Sequence, residues 1–465
     1  MPQILRDPAS YTDPNGFVYW QDGQVYRRIY AERADFFRTL LGAPVTASLQ
    51  TSGKLVPTQV VPDPEDGLLL AHDTVWPRSY PQEWCAPMLK DAGRLILDVA
   101  AELAEAGYGL ADGHPWNVLF HRGRPVFIDL GSIVEAHPAL PWPALAQFQR
   151  FVLYPLHLHG GGMGELARAR LQDLALGVSA DLAVRALPAG YKLTRPGVAF
   201  KLKLNQAAER ITTGAPGRAG APAAPRTVDA QVLRQVRKPF FGGLRRELDA
   251  VPVGGSGGGW VSYYASCPSM GEADAAAKQQ LMERLLSDLS PRTVLDLGSN
   301  TGQYAMMAAR AGARVVAVDQ DEASVAALYA KVRQGGLDVL PLVMDLGNPT
   351  PANGWCASQR PAALDRLRSD AAFMLALIHH LVFTGNVNFQ QVAELAAKAA
   401  ERVALIEWVS AEDPMSVYLR RTATKDFSFY TLENLVAALE AAGFAVEAQE
   451  PHSQTRRMLV CRKRG

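Results

Sequence analysis

The chain has 465 residues, more than the roughly 250–300 that one hydrophobic core accommodates, so its length predicts two or more domains. Lysine and arginine total 47 and aspartate and glutamate 46, and the net charge of +1 gives no polyanion-binding signature, so nucleic acid is not indicated as a partner. The sequence shows neither a signal peptide nor an apolar run of about 18 residues, which argues against a membrane span and predicts a cytoplasmic protein. Its cysteines are isolated from one another, which argues against a disulfide framework and a zinc site: Cys85, Cys267, Cys356, Cys461.

Two elements are predicted early in the chain. Residues 16–30, GFVYWQDGQVYRRIY, favour two strands joined at Asp22 and Gly23, a residue pair typical of tight hairpin turns. Residues 83–107 carry apolar side chains at helical spacing, which predicts a helix that ends at Gly107.

A motif of three polar residues follows this helix. Asp112 and Asn117 stand in a D-x-x-x-x-N arrangement, and Asp129 ends the next apolar run in Asp-Leu-Gly. This pattern resembles the catalytic loop and the Asp-Phe-Gly segment of protein-kinase-like folds. The resemblance implies an α+β domain in which Asp112 orients an acceptor hydroxyl, while Asn117 and Asp129 hold Mg²⁺ for ATP. The simpler alternative is that all three side chains cap turns or strand ends.

The same region departs from the kinase pattern. It has no glycine-rich G-x-G-x-x-G loop, and Arg27 and Arg28 stand where a phosphate-binding lysine is expected. Lys54 and Lys90 are possible replacements, but no spacing argument selects either. We therefore expect a degenerate kinase-like domain over residues 1–210 that recognises substrate.

Two flexible stretches separate this region from the rest of the chain. Residues 211–227 are rich in Pro, Gly and Ala, and residues 253–259 read VGGSGGG. The basic sequence between them predicts a short helix. We expect a linker over residues 211–259 and a second domain over residues 260–465.

Residues 294–305, VLDLGSNTGQYA, predict a buried strand, a glycine-rich turn and a helix. Gln303 and Tyr304 follow Gly302 where a P-loop needs Lys-Ser/Thr, which disfavours ATP at this turn. The glycine spacing also differs from that of the dinucleotide fingerprint G-x-G-x-x-G. A nucleotide-type loop at a helix N-terminus remains the prediction.

The next two predicted strands also end in carboxylates. Residues 313–321 end near Asp319, at the distance along the chain where a ribose acceptor is expected, and residues 339–349 include Asp345, placed to meet an adenine amino group. Each acid alone is commonly a cap. Together with Asp296 they predict three acids at the ends of three strands of a parallel sheet.

The spacing D-x-G-x-x-x-G, from Asp296 to Gly302, resembles motif I of class I S-adenosylmethionine (SAM) methyltransferases. The resemblance implies a Rossmann-like, seven-stranded α/β domain that ends in antiparallel strands, with an aromatic lid from Trp260, Tyr263 and Tyr264. The cofactor-binding residues it implies are Asp296, Gly298, Asn300, Gly302, Tyr304, Asp319, Asp345 and Tyr264.

Candidate catalytic groups lie on the following strands. Residues 371–381 predict a fourth strand that brings His379 and His380 to the ligand edge of the sheet, where a histidine can act as base. Residues 403–410 predict a fifth strand that delivers Glu407 to the same edge, to anchor an acceptor or orient a histidine. The alternatives are packed histidines and a structural salt bridge.

Shorter motifs in both halves, among them SYPQEW (79–84) and ALIHHL (376–381), resemble a group of bacterial methyltransferases with a kinase-like N-terminal region, including the nodulation-protein type. The resemblance implies SAM-dependent methylation of a small-molecule, saccharide or carrier-linked acceptor. The alternatives are a bifunctional kinase and methyltransferase that uses ATP and Mg²⁺ to phosphorylate a glycan or metabolite, and a non-catalytic SAM-binding protein. The sequence specifies neither the acceptor atom nor the oligomeric state.

Overall fold

A computed structural model describes residues 6–63, 67–213, 229–253, 271–421 and 424–464. The chain divides into two compact units. The N-terminal unit comprises Met1–Gly255 together with Asn353–Arg360, and the C-terminal unit comprises Ser256–Ala352 and Pro361–Gly465. Residues 353–360 form an excursion: they belong to the N-terminal unit, although the residues on either side of them belong to the C-terminal unit. No pattern in the sequence predicts this excursion. The predicted boundaries at 210 and 259 remain predictions, since 214–228 and 254–270 lie outside the described residues.

A four-stranded antiparallel sheet with the order β1-β2-β4-β3 begins the N-terminal unit. The predicted hairpin is confirmed: Asp22 and Gly23 both have positive φ, of 52° and 78°, as a tight two-residue turn requires. The strands of this sheet are β1 Gly16–Gln21, β2 Gln24–Ile29, β3 Thr58–Val61 and β4 Leu68–His72.

Helices and two small hairpin-like sheets complete the N-terminal unit. The predicted helix over 83–107 is found at Ala86–Glu105, where its apolar stripe is buried. The short strands are β5 Tyr108–Leu110, β6 Val118–His121, β7 Arg124–Phe127 and β8 Ile133–Glu135. The α-helices are α1 Ala34–Gly42, α2 Pro44–Thr51, α3 Ala86–Glu105, α4 Leu145–Phe148, α5 Tyr154–Gly160, α6 Gly164–Leu171, α7 Ala180–Ala186, α8 Ala189–Thr194, α9 Pro196–Thr213 and α10 Ala230–Ala250. A π-helical turn, Gln149–Leu153, joins α4 to α5, and short 3-10 turns lie at Pro8–Ser10, Ala31–Arg33, Pro81–Glu83, Pro115–Asn117, Leu130–Ser132 and Trp355–Ala357.

The basic sequence between the two flexible stretches forms α10, whose 21 residues make it longer than the short helix that we expected. It packs on α3, where Lys90 Nζ donates hydrogen bonds to the carbonyl oxygens of Asp249 and Val251, at 2.8 and 2.7 Å. These carbonyls belong to the C-terminal end of α10, where a cation is favourable. Lys90 therefore caps a helix.

The C-terminal unit contains the seven-stranded sheet implied by the resemblance, with the order β11-β10-β9-β12-β13-β15-β14. Five neighbouring strands run parallel, and the last two are antiparallel, as expected. The strands are β9 Thr293–Leu297, β10 Arg314–Asp319, β11 Val339–Val343, β12 Ser369–Met374, β13 Ala400–Val409, β14 Phe444–Pro451 and β15 Arg456–Lys463. The helices are α11 Glu272–Leu289, α12 Gln303–Arg310, α13 Glu322–Gly335, α14 Ala363–Arg366, α15 Ile378–Phe383, α16 Phe389–Ala399, α17 Pro414–Arg420 and α18 Leu432–Ala441.

The central strands are almost wholly apolar because helices cover both faces of a parallel sheet. Val294, Leu295, Val316 and Val318 are completely buried. This burial fixes the register of the sheet and brings the carboxyl ends of four parallel strands to one edge. Among the helices that the structure describes, none is both long and apolar enough to cross a bilayer.

Candidate functional site

A cavity of about 280 Å³ lies at the carboxyl ends of β9, β10, β11 and β12. Of the residues predicted to bind cofactor or to act in catalysis, the structure brings five to its wall: Gly298, Asn300, Asp319, Asp345 and His380. Ligands of open α/β sheets bind at this edge. This cavity is the candidate site of the C-terminal unit.

The glycine-rich loop forms one wall of the cavity. Gly298 has a φ of +78°, and the N–H groups of Gly298 and Ser299 both donate to the carbonyl oxygen of Val318, at 2.8 and 3.0 Å. A Cβ atom on Gly298 would lie 3.0 Å from Leu377 Cδ1. The loop therefore requires glycine here for its backbone conformation and for its close approach to the loop after β12.

Asp319 ends β10 and connects the strand to the glycine-rich loop. Its Oδ2 accepts a hydrogen bond from the N–H of Asn300 at 2.7 Å, and its Oδ1 accepts one from the N–H of Asp321 at 2.9 Å. Burial raises the pKa of Asp319 above its usual range. The side chain thus orders two backbone turns and presents a carboxylate to the cavity. Asp345, after β11, is exposed and accepts from the N–H of Gly347 at 2.8 Å.

The structure places Asp296 away from the wall of the cavity. Asp296 lies within β9, is 2% exposed and does not line the cavity. Its carboxylate accepts from the backbone N–H of Ala305, in the first turn of α12, and burial together with the nearby Asp319 raises its pKa to about 7. The hydrogen bond with Ala305 places the Asp296 carboxylate against α12. Two of the three predicted acids, not three, therefore line the cavity.

Gly302, at the end of the glycine-rich loop, and Tyr304, in the first turn of α12, do not line the cavity. Gly302 has a φ of +79°, and a Cβ atom there would clash with Leu328 Cδ1 at 2.3 Å. Tyr304 is 3% exposed, and Lys278 Nζ lies 4.8 Å from the centre of its ring. Trp260, Tyr263 and Tyr264, the predicted aromatic lid, lie outside the described residues.

His379 and His380 lie on the short helix α15, because β12 ends at Met374, earlier than predicted. His380 lines the cavity, and burial, with the Arg456 guanidinium, lowers its pKa to about 4. His379 is fully buried and neither ring nitrogen has a hydrogen-bond partner among the described residues. Burial and the adjacent His380 lower the pKa of His379 well below its ordinary value. Only His380 reaches the cavity.

Glu407 is also placed differently from the prediction. It is completely buried in β13, two residues before the strand ends, and Lys278 Nζ lies 2.5 Å from its Oε2. His452 Nε2 lies 3.2 Å, and an Arg456 nitrogen 3.8 Å, from its Oε1. Burial alone would raise the pKa of Glu407, but the Lys278 ammonium and the His452 and Arg456 side chains hold it well below its usual range. The structure therefore supports the salt-bridge alternative for this residue.

Sequence reasoning missed the loop after β12. Leu375, Ala376 and Leu377 line the cavity, and Ala376 has a φ of +49°, an uncommon conformation for a residue with a Cβ atom. The N–H of Ala376 donates to Glu407 Oε2 at 2.8 Å, which holds this backbone in place. Alanine carries no signal for such a conformation, so only the structure reveals it.

The N-terminal unit holds a second cavity, of about 490 Å³, to which the kinase-like motif contributes Asp112, Asn117 and Asp129. Asn117 Nδ2 donates to Asp129 Oδ2 at 3.2 Å. However, an Arg27 nitrogen donates to Asp129 Oδ1 at 2.6 Å, and Arg27 also pairs with Asp13. The carboxylate that a magnesium ion would need is therefore paired with a guanidinium group.

The structure also lacks support for a phosphate-binding lysine and for a metal site among the described residues of this unit. Lys54 pairs with Glu102 and Lys90 caps α10. Neither lysine lines the cavity, so neither stands in the place of the phosphate-binding lysine. In the part of the chain that the structure describes, no group of three or more His, Cys, Asp or Glu side chains is arranged to hold a metal ion. The predicted Mg²⁺ ligands Asn117 and Asp129 are therefore not supported.

Comparison with known proteins gives the following similarities. The chain is 26% identical to the nodulation protein NoeA of Rhizobium meliloti (strain 1021) over 457 residues, which cover 94% of this chain and 92% of that protein. No family model matches the chain. This relative agrees with the resemblance noted in the sequence, and its match spans both units.

Among solved structures, the magnesium protoporphyrin IX methyltransferase of Synechocystis PCC 6803 with bound SAH is 15% identical, with 41% of this chain and 86% of that chain covered and a TM-score of 0.30. A SAM-dependent methyltransferase of Aquifex aeolicus is 18% identical, with 41% and 98% covered and a TM-score of 0.28. Similarity at this level does not establish an activity, which therefore depends on the chemistry of the cavity.

Proposed function

We propose that the C-terminal unit is a SAM-dependent methyltransferase that acts on a small-molecule, saccharide or carrier-linked acceptor. The observation that carries this proposal is the convergence of Gly298, Asp319, Asp345 and His380 on one cavity at the carboxyl edge of a parallel sheet. Gly298, Asp319 and Asp345 lie at or just after the ends of β9, β10 and β11, and His380 lies on α15, which follows β12. Their arrangement suits a ligand with a hydroxylated ring at one point and a reacting atom at another.

The residues at the cavity fit an adenosyl cofactor. The Asp319 carboxylate accepts hydrogen bonds and suits a pair of ribose hydroxyls. Met344, Leu375 and Leu377 give the cavity apolar wall for a base, and its volume of about 280 Å³ is near the lower end of the range for small-molecule sites. When bound there, SAM supplies an activated methyl group on a sulfonium.

His380 is the candidate base for the acceptor. Methyl transfer to a hydroxyl or amine requires alignment of the acceptor with the methyl group and removal of one proton. With a pKa lowered to about 4 by burial and by Arg456, the His380 imidazole is neutral at physiological pH and can take that proton at a ring nitrogen.

Replacing His380 with asparagine is expected to lower kcat about 100-fold, the lower end of what general base catalysis contributes, with little change in cofactor affinity. Because the lowered pKa keeps the imidazole neutral in mildly acidic solution, we expect kcat/KM of the wild-type protein to fall only below about pH 5. An ordinary histidine would lose activity near pH 6.5. His121→Asn, at an exposed strand end in the N-terminal unit, is the matched control. An unchanged kcat in H380N would show that another group removes the proton.

The proposed function is tested by incubating the full-length protein with SAM carrying a tritiated methyl group and a cell extract. We expect tritium to appear on an acceptor and S-adenosylhomocysteine to form in equal amount. The alternative of a non-catalytic SAM-binding protein predicts binding without either product.

The bifunctional alternative requires phosphoryl transfer in the N-terminal unit. We expect no Mg²⁺-dependent ATP turnover above background, because the Asp129 carboxylate forms a salt bridge with Arg27. Phosphate release from ATP, compared between the wild-type protein and Asp129→Asn, checks this. Turnover that is present in the wild-type protein and lost in D129N would favour the bifunctional alternative instead.

A further inference from the structure

The cavity of the N-terminal unit has features of a ligand site that are independent of the proposed methyl transfer. It lies between the four-stranded sheet and the segments around Asp112 and Asp129, and its volume of about 490 Å³ is within the range of small-molecule sites. The excursion 353–360 adds Gln359 and Arg360 to its wall. The kinase-like interpretation assigns no role to this excursion.

Arg360 is held rigidly at the cavity. Its backbone N–H donates to the carbonyl oxygen of Asn353, and the N–H of Asn353 donates to the carbonyl oxygen of Arg360, at 3.0 and 2.9 Å. The Arg360 guanidinium lies over the Trp116 ring, 4.2 Å from its centre, and 5.6 Å from the centre of the Tyr80 ring. These contacts restrict the position of the guanidinium before any ligand binds.

The charge of this guanidinium is not matched by a carboxylate contact. Within the described ranges, Arg360 forms no salt bridge, and its Nε is buried without a hydrogen-bond partner. Burial lowers the pKa of Arg360 to about 10, so the group remains charged at physiological pH. A fixed, stacked and unpaired arginine is a preorganised anchor for an anion.

Two more buried donors at the same cavity lack partners among the described residues. They are the Nε1 of Trp116 and the Nε of Arg27, neither of which can accept a hydrogen bond. Buried polar groups are rarely left unsatisfied in folded proteins. Together with Arg360, these donors favour a ligand that presents acceptor oxygens.

The acidic residues limit the charge of that ligand. Five carboxylates line the cavity, on Asp7, Asp13, Asp73, Asp112 and Asp129, and three guanidinium groups, on Arg27, Arg78 and Arg360. Arg27 pairs with Asp13 and Asp129, and Arg78 lies 3.5 Å from Asp7. The remaining carboxylates oppose a polyanion such as a nucleoside triphosphate. Asp112 is 39% exposed and suits hydrogen bonds from ligand hydroxyls.

We propose that the N-terminal unit binds a hydroxylated small molecule with one acidic group, of the class of sugar acids or sugar phosphates, with Arg360 holding the acidic group and Asp112 accepting from hydroxyls. This inference does not rest on the proposed methyltransferase function. It assigns a ligand-binding role to a cavity in which Asp129, of the kinase-like motif, forms a salt bridge with Arg27.

Isothermal titration of the full-length protein with D-glucuronate, D-glucose 1-phosphate, D-glucose and ATP tests the proposal. We expect saturable binding of at least one of the two acids, at least tenfold weaker binding of glucose, and ATP binding no tighter than that of the preferred acid. Which acid binds better distinguishes a carboxylate ligand from a phosphate ligand.

Variants assign the binding to the cavity. Arg360→Ala is expected to weaken binding of the preferred acid at least tenfold, Arg360→Lys less, and Trp116→Phe several-fold, because phenylalanine keeps a ring but removes the Nε1 donor. Arg185→Ala, which changes an exposed side chain on α7 of the same unit, is the matched control and should bind as the wild type does. Thermal unfolding and S-adenosylhomocysteine binding of each variant should match those of the wild type.

The proposal is overturned if neither acid binds, if ATP binds more tightly than both acids, or if R360A binds the acids as the wild type does. If the wild-type protein binds the acid but transfers no methyl group, the proposed function is refuted and this inference stands.

Discussion

Replacing Asp319 with alanine is expected to weaken S-adenosylhomocysteine binding by about 1.5–3 kcal/mol, or roughly 10- to 150-fold, the range for hydrogen bonds to a charged group. Two effects add here. The carboxylate lines the cavity and is positioned to accept from ribose hydroxyls, and it also accepts from the N–H groups of Asn300 and Asp321, which order the loop. Calorimetric titration with S-adenosylhomocysteine measures the change.

Two further variants separate these effects. Asp319→Asn keeps an acceptor oxygen for one backbone N–H and is expected to lose less affinity than D319A. Asp321→Ala removes the N-cap of α13, where the Asp321 carboxylate accepts from the N–H of Ser324 at 3.1 Å, without removing a group that lines the cavity. D321A should therefore lower the thermal stability while cofactor affinity stays close to the wild-type value. Equal affinities in D319A and the wild type would show that β10 is not the cofactor strand.

Replacing Glu407 with leucine is expected to lower the free energy of unfolding by about 3–5 kcal/mol, because it leaves buried cations without a counter-charge. Lys278 and Glu407 are 3% and 0% exposed in their side chains, and His452 and Arg456 lie near the same carboxylate. The substitution also removes the acceptor of the Ala376 N–H. Chemical denaturation monitored by circular dichroism measures the loss.

Glu447→Ala provides a matched control on β14, at the edge of the same sheet. Glu447 pairs with Arg462 at 2.8 Å, but both side chains are at least 40% exposed, so its removal should cost only about 0–1 kcal/mol. The double variant Lys278→Met with Glu407→Leu removes both members of the closest pair and should be less destabilised than E407L alone. If E407L unfolds as the wild type does but loses methyl transfer, the catalytic role that the sequence suggested for Glu407 would replace the structural one.

The sequence was informative wherever a local pattern determines the conformation. Asp22 and Gly23 predicted the hairpin because few residue pairs adopt positive φ at both turn positions. The apolar runs around Leu295 and Val316 predicted the buried parallel strands, and the glycine at 298 marked the turn at the cavity. In each of these places, the residues that determine the conformation are neighbours along the chain.

The sequence could not identify contacts that join distant segments. It left Glu407 between a role at the ligand edge and a structural salt bridge, and the structure pairs it with Lys278, 129 residues away, inside the core. The kinase resemblance implied a metal ion at Asp129, but Arg27, 102 residues away, donates a hydrogen bond to its carboxylate. The placement of Arg360 in the N-terminal unit likewise depends on how an excursion packs. Charge pairing across such separations is decided by the assembled fold.

The most direct measurement is a crystal structure of the full-length protein with S-adenosylhomocysteine. We expect the adenosyl group to lie in the cavity at the carboxyl edge of the seven-stranded sheet, with Asp319 within hydrogen-bond distance of the ribose and His380 facing the sulfur end. An empty cavity, or a nucleoside bound at another place in the chain, would contradict the proposed site.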